Sequence, residues 1–273
     1  MNTDDLSFFA SLTDSRMKPV GFFDSGIGGL CIRNAFRRLR PAESTLYIAD
    51  RAHCPYGNRS FSEIRALSRQ HASWLLNHGA KAIVVACNTA TAAAIDLLRG
   101  DFPAIPVIGI EPAVKPAALH SRTHIVGVLA TAGTFNGRLY RETSSRFAHE
   151  VTILTTVADD FVELVESGNL DGAEAEAIVH RRIDPLLAAG ADHLVLGCTH
   201  FPHLRPLIER LVGNRAVVID PSDAVARQID RRLAEVDLTA PADTIPRHVY
   251  LETWGNGELV PCDEPNLRRP RRT

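Results

Sequence analysis

The chain has 273 residues, 45% hydrophobic and 23% charged, with a formal net charge of -2. Such a chain can bury one large core or two moderate ones. Its charge gives no reason to expect a nucleic-acid partner, and no apolar run approaches the roughly 20 residues of a membrane span. Five cysteines (Cys31, Cys54, Cys87, Cys198 and Cys262) include no CxxC pair. That argues against a disulfide framework or a ribbon-type zinc site, and free thiols fit a reducing cytosol, so a cytoplasmic location is expected.

Residues 1–18 carry Asp4, Asp5 and Asp14 and only a short apolar run, Phe8-Phe9-Ala10. They lack the basic start and long apolar stretch of a secretory signal and read as an N-terminal extension outside the fold. Strands and helices then alternate. Pro19–Asp24 reads as a strand, with a Gly-rich turn and a helix toward Leu39. Thr45–Ala49 reads as a second strand. Ser60 and Glu63 have capping-box spacing and open a helix with Ile64, Leu67, His71, Trp74 and Leu75 on one face; Gly79 ends it. Ala82–Ala86 is a strand, Thr89–Leu98 a helix and Ile105–Ile110 a strand.

The pattern restarts near 112–124. Strands are expected at Ile125–Leu129, Val151–Val157, Leu194–Gly197 and Val217–Ile219. Helices are expected at Arg138–Phe147, Asp159–Glu166, Ala173–Leu187, Leu204–Val212 and Asp223–Leu233. A Pro/Thr/Ala linker over 236–247 precedes a last strand, Val249–Trp254, and Arg268-Arg269-Pro270-Arg271-Arg272 reads as a solvated tail. Alternation of this kind predicts parallel sheets with right-handed crossovers. The expected fold is α/β, with two similar domains of mostly parallel sheets facing each other across a central cleft. The first domain would be 19–111 completed by 221–273, the second 112–220. Two echoes support the repeat: Gly21–Ser25 with Gly127–Thr131, and the frame ending in Cys87 with the frame ending in Cys198, 111 residues on.

The chemistry-bearing residues cluster at strand ends, where open α/β sheets bind ligands. Asp24-Ser25-Gly26-Ile27-Gly28-Gly29 is neither a dinucleotide fingerprint, because Cys31 stands where the third glycine belongs, nor a P-loop. It reads either as a capped turn or as a carboxylate-binding turn with Asp24 as charged partner. Cys87-Asn88-Thr89 and Cys198-Thr199-His200 each put a thiol before an expected helix start, where the macrodipole favours thiolate. Asn88, Thr89 and Thr199 offer uncharged donors, and His200 a group able to share a proton with Cys198. A metal at Cys198, His200 and His203 is disfavoured, since no fourth ligand stands at familiar spacing and Pro202 interrupts the segment. Pro55-Tyr56-Gly57, following Asp50, His53 and Cys54, reads as a turn placed to line the same cleft. Glu166 reads as a helix-end carboxylate. No lysine is marked out for a Schiff base.

Four segments, Phe23–Leu30, Pro55–Ser60, Val85–Ala90 and Leu196–Pro202, together resemble the glutamate racemase family of the aspartate/glutamate racemase superfamily. The resemblance spans about residues 19–235, including Leu164–Gly168 and Val218–Asp220. It implies cofactor-independent racemisation of glutamate, supplying D-glutamate for peptidoglycan. It places the paired catalytic thiols on Cys87 and Cys198 and the assisting groups on Asp24, Glu166 and His200. Substrate contacts fall on Asp24, Ser25, Tyr56, Gly57, Asn88, Thr89, Thr199 and His200. The implied partner is a small amino acid, with neither nucleic acid nor membrane; a homodimer is compatible with it. Departures occur at Asp50-Arg51-Ala52-His53-Cys54 and Thr131-Ala132-Gly133-Thr134. Racemisation of aspartate or another amino acid, a Cys198–His200 hydrolase or transferase, and a non-catalytic amino-acid-binding protein are the competing readings.

Overall fold

A computed structural model of the chain describes residues 4–265; the basic segment at 268–272 lies outside them. The chain opens with helix α1 (Asp4–Ser11), then β1 (Val20–Asp24), α2 (Leu30–Leu39), β2 (Thr45–Ala49), α3 (Phe61–Asn77), β3 (Ala82–Val85), α4 (Asn88–Asp101) and β4 (Val107–Ile108). It continues through α5 (Val114–His120), β5 (Ile125–Ala130), α6 (Ala132–Phe135), α7 (Arg138–Phe147), β6 (Thr152–Val157), α8 (Asp160–Ser167), α9 (Ala173–Ala188), β7 (His193–Leu196), α10 (Arg205–Val212) and β8 (Val217–Ile219). It ends with α11 (Ser222–Ala234), β9 (His248–Trp254) and β10 (Glu258–Pro261). Residues up to Ile110 with Ser222–Pro265 form one compact unit, and Glu111–Pro221 form the other.

The first unit holds a six-stranded sheet in the order β10-β9-β2-β1-β3-β4. All pairings are parallel except β10 with β9. The second unit holds a four-stranded parallel sheet, β6-β5-β7-β8. Taken in chain order within each unit, the first sheet runs 6-5-2-1-3-4 and the second 2-1-3-4, so the run 2-1-3-4 is common to both. The registers agree as well. Phe23 pairs with Val85 as Leu129 pairs with Leu196. Ala86 N–H donates to the Phe23 carbonyl at 2.8 Å as Gly197 N–H donates to that of Leu129 at 2.7 Å. Gly21 and Gly127 therefore occupy one structural position, and for one reason. A Cβ on Gly21 would sit 3.0 Å from Ala80 Cβ and 3.2 Å from Leu75 Cβ; one on Gly127 would sit 2.7 Å from Leu194 Cδ2 and 3.0 Å from Leu186 Cδ1. Each glycine lets a helix, α3 or α9, lie close on the first strand.

Apolar runs make buried strands here because helices cover the sheet: every residue of β1, β2, β3 and β7 is buried. Helix α3 begins as its sequence predicts, with Ser60 Oγ accepting the Glu63 N–H at 3.3 Å. The Glu63 side chain pairs with Arg59. The α3 face carrying Ile64, Ser68, His71, Ala72 and Leu75 is buried.

Several expectations are corrected. Residues 4–18 are not outside the fold: Phe9 is fully buried, Arg247 lies 3.8 Å over the Phe8 ring and donates to Asp5 at 2.7 Å, and Lys81 Nζ donates to the Arg16 carbonyl at 2.5 Å. The strand expected at Ile105–Ile110 shrinks to two residues. Pro106 has no N–H to give a ladder, and Ile110 N–H turns to Thr91 Oγ1 at 3.1 Å. Helix α5 fills the stretch read as a plain restart, and a short helix, α6, follows β5 at Ala132–Phe135. Beyond β9, Gly255 and Gly257 adopt φ of +48° and +89° and turn the chain into β10.

Candidate functional site

In the first unit, β1 ends at Asp24, which is fully buried. Its Oδ1 accepts the Ser25 N–H and its Oδ2 the Gly29 N–H, both at 2.7 Å. The carboxylate thus closes the Ser25–Gly29 turn, while Tyr47 Oη donates to the Gly26 carbonyl at 3.0 Å from below. Next to β1 in the sheet, β3 delivers Cys87, the N-cap of α4, whose Sγ accepts the Ala90 N–H at 3.4 Å. The thiol also donates toward Ser25 Oγ at 3.7 Å. Cys87 is 4% exposed. Held at the positive end of a 14-residue helix, it is set for thiolate character. Asn88 and Thr89 are buried beside it, and both amide atoms of Asn88 lack a hydrogen-bond partner among the described residues. A buried amide left so costs on the order of 1–3 kcal/mol.

Tyr56 and Gly57 lie in a single 3-10 turn, Tyr56–Asn58, after β2. Tyr56 is buried and donates to Asp50 Oδ2 at 2.5 Å. Burial first, and then Asp50, raise its phenol well above the usual tyrosine value, and Cys87 and Asp24 push the same way. Asp50, the residue after β2, is itself fully buried. Thr253 Oγ1 donates to its Oδ1 at 2.7 Å, His53 Nδ1 lies 2.8 Å from Oδ1, and His71 Nε2 lies 2.9 Å from Oδ2. Burial alone would raise this carboxyl, but His71, Tyr56 and His53 outweigh it and hold it well below the usual carboxylate range.

In the second unit, β7 delivers Cys198 at the position equivalent to Cys87. No α-helix starts there. A 3-10 turn, Phe201–Leu204, follows, and α10 begins only at Arg205, because Pro202 and Pro206 supply no N–H for a continuous ladder. The macrodipole argument therefore applies to Cys87 and not to Cys198. The second thiol has a different aid. Cys198 Sγ lies 3.8 Å from His200 Nδ1, and His200 Nε2 lies 2.8 Å from Glu166 Oε1. An ionised carboxylate only accepts, so Nε2 carries a proton toward Glu166, and Nδ1 is the ring nitrogen that faces the thiol. Glu166 reaches His200 because α8 packs on the 3-10 turn, with the Phe161 and Phe201 rings edge to face at 5.1 Å. Thr199 is buried at the same turn.

Each unit thus gathers its own sequence-predicted residues: Asp24, Ser25, Tyr56, Gly57, Cys87, Asn88 and Thr89 in the first; Glu166, Cys198, Thr199 and His200 in the second. The sequence reading missed the Asp50 cluster. His71 looked like part of a helix face, and Thr253 is over 200 positions away from Asp50; only the sheet order β9-β2-β1 brings them together.

Residues 31–229 match the family described as Asp/Glu/Hydantoin racemase. A glutamate racemase of Roseiflexus sp. is 42% identical over 261 residues, 92% of this chain and 96% of that protein. The crystal structure of glutamate racemase from Francisella tularensis in complex with D-glutamate superposes with a TM-score of 0.76 at 30% identity, covering 87% of this chain and 89% of that one. Escherichia coli glutamate racemase, in complex with L-glutamate and the activator UDP-MurNAc-Ala, gives 0.75 at 32%, covering 86% and 88%. With a family match across most of its length and relatives of this identity and coverage, the chain belongs to the Asp/Glu/Hydantoin racemase family.

Proposed function

We propose that this protein interconverts L- and D-glutamate by proton transfer between two cysteines, supplying D-glutamate for peptidoglycan in the cytoplasm. One observation carries the reading: Cys87 and Cys198 follow the third strand of two sheets that share the run 2-1-3-4, each with its own polar neighbours. Relatives at this identity that act on glutamate support the choice of substrate.

In the proposed reaction, the thiolate of one cysteine takes the α-proton of bound glutamate. The electron pair left on Cα delocalises into the carboxylate. The thiol of the other cysteine then gives its proton to the opposite face, and the two sulfurs have exchanged protonation states. The intermediate carries its charge on carboxylate oxygens, so fixed uncharged donors stabilise it most; the Asn88 amide, Thr89, Thr199 and the backbone at Tyr56–Gly57 fit that task. Asp24 and Ser25 serve the Cys87 half, with Asp24 placed to balance the substrate ammonium. Glu166 and His200 relay the proton of Cys198.

The test is proton NMR of each enantiomer in deuterated water, with L-aspartate as comparison. Wild type should replace the α-hydrogen of both glutamate enantiomers and equalise them. Cys87→Ala and Cys198→Ala should invert neither, each at most exchanging the α-hydrogen of one enantiomer with retention. Inversion surviving in either variant would overturn the two-thiol reading, and turnover of aspartate alone would overturn the substrate.

A further inference from the structure

We propose that Asp50 is a positioning residue: its carboxylate fixes the Tyr56–Asn58 turn and so sets the affinity of the Cys87 half-site for its substrate. The inference rests on the two-thiol reading and adds a residue to it. Asp50 is held by three side-chain hydrogen bonds, from Tyr56 at Oδ2 and with His53 and Thr253 at Oδ1, while His71 Nε2 lies 2.9 Å from Oδ2. They come from four places in the chain, namely the turn itself, α3, the segment before the turn, and β9. Its own N–H donates to the Asp24 carbonyl at 2.9 Å, tying the cluster to the end of β1. The ring of Tyr56 is thus anchored from a fully buried charge, and its phenol has the short hydrogen bond expected of an O–H donating to a carboxylate. Arg59 closes the far side, Nε donating to the His53 carbonyl at 2.6 Å and N–H to the Tyr56 carbonyl at 3.1 Å. The turn is braced at both ends, and the brace at the site end is Asp50. Such a residue touches no reacting atom; it holds the backbone of Tyr56 and Gly57 where a substrate carboxylate would meet it.

The test compares wild type, Asp50→Asn, Tyr56→Phe and the double variant by steady-state kinetics, and by backbone hydrogen exchange over residues 54–60. Asp50→Asn and Tyr56→Phe should each raise KM for glutamate about tenfold, the scale of one lost hydrogen bond to a charged group, with a smaller change in kcat. The double variant should be no worse than Asp50→Asn alone, because both remove one interaction. Exchange over 54–60 should quicken in all three. An unchanged KM, effects that multiply, or unchanged exchange in Tyr56→Phe would overturn the proposal. Wild type that fails to turn over glutamate would refute the functional reading alone, since the exchange measurement still decides whether Asp50 holds the turn.

Discussion

At the scale of single residues, the two thiols of the proposed reaction have unlike surroundings. Cys87 sits at a helix N-terminus beside a hydroxyl. Cys198 faces an imidazole that a carboxylate orients, and in the proposed reaction that pair relays its proton. His200→Asn should therefore lower kcat/KM about 10²-fold, the usual worth of one positioned acid-base group. Glu166→Gln should cost less, since it keeps the imidazole and loses only its charge partner and part of its orientation. Both are measured by circular dichroism of the glutamate enantiomers, and a Glu166 variant more damaged than the His200 variant would contradict the order Glu166–His200–Cys198.

At the scale of elements, the N-terminal segment is part of the first unit. Phe9 is fully buried and its backbone carbonyl lies close on Gly79, and Lys81 links Arg16 to Glu43 at 2.6 Å, both charges fully buried and Glu43 also accepting the Ala240 N–H at 2.8 Å. Burial, the largest influence, lowers the Lys81 ammonium below its ordinary value against the pull of Glu43. Removing one member of such a pair leaves the other stranded, so Lys81→Ala should cost on the order of 3 kcal/mol in urea unfolding, and Lys81→Met with Glu43→Leu should recover most of it. This segment also shows what sequence reading can and cannot reach. Strands such as Thr45–Ala49 and the site residues beside them were legible, because buried parallel strands write themselves as apolar runs and ligand groups gather at their ends. Phe8-Phe9 carried no period, and its partners at Gly79 and Arg247 are remote. The β9–β10 hairpin was legible in Gly255-Asn256-Gly257 and was overlooked because the strand after it alternates only weakly.

For the whole molecule, stability against pH follows from groups in both units. Burial, then Arg37 and Arg33, depress His248 to about 4, against the opposing pull of Glu264. Below its unfolded value of 6.5 the unfolded chain takes a proton that the folded chain refuses. The folded state therefore loses stability as pH falls from about 6.5 to about 4. In the second unit, Asp192 would be raised by burial but is held low by His193, Ser121 and the Thr123 and Arg122 N–H groups. Asp50 behaves likewise in the first. These carboxylates contribute above the unfolded value of 3.8 and lose their contribution as pH falls through their folded values. Urea midpoints should be flat above pH 6.5, fall gently to pH 4 and then steeply. His248→Gln should flatten the upper slope and leave the lower one; an unchanged upper slope would assign it elsewhere.

The unequal escorts of Cys87 and Cys198 have a kinetic consequence. Mirror-image molecules have equal free energy, so the equilibrium between them is fixed at equality and the Haldane relation forces kcat/KM to be the same in both directions. Whatever advantage the Glu166–His200 pair gives one thiol must enter that quotient equally for both enantiomers. Any difference between the two directions is confined to matched inequalities of kcat and KM, the enzyme holding one enantiomer more tightly and turning it over more slowly by the same factor.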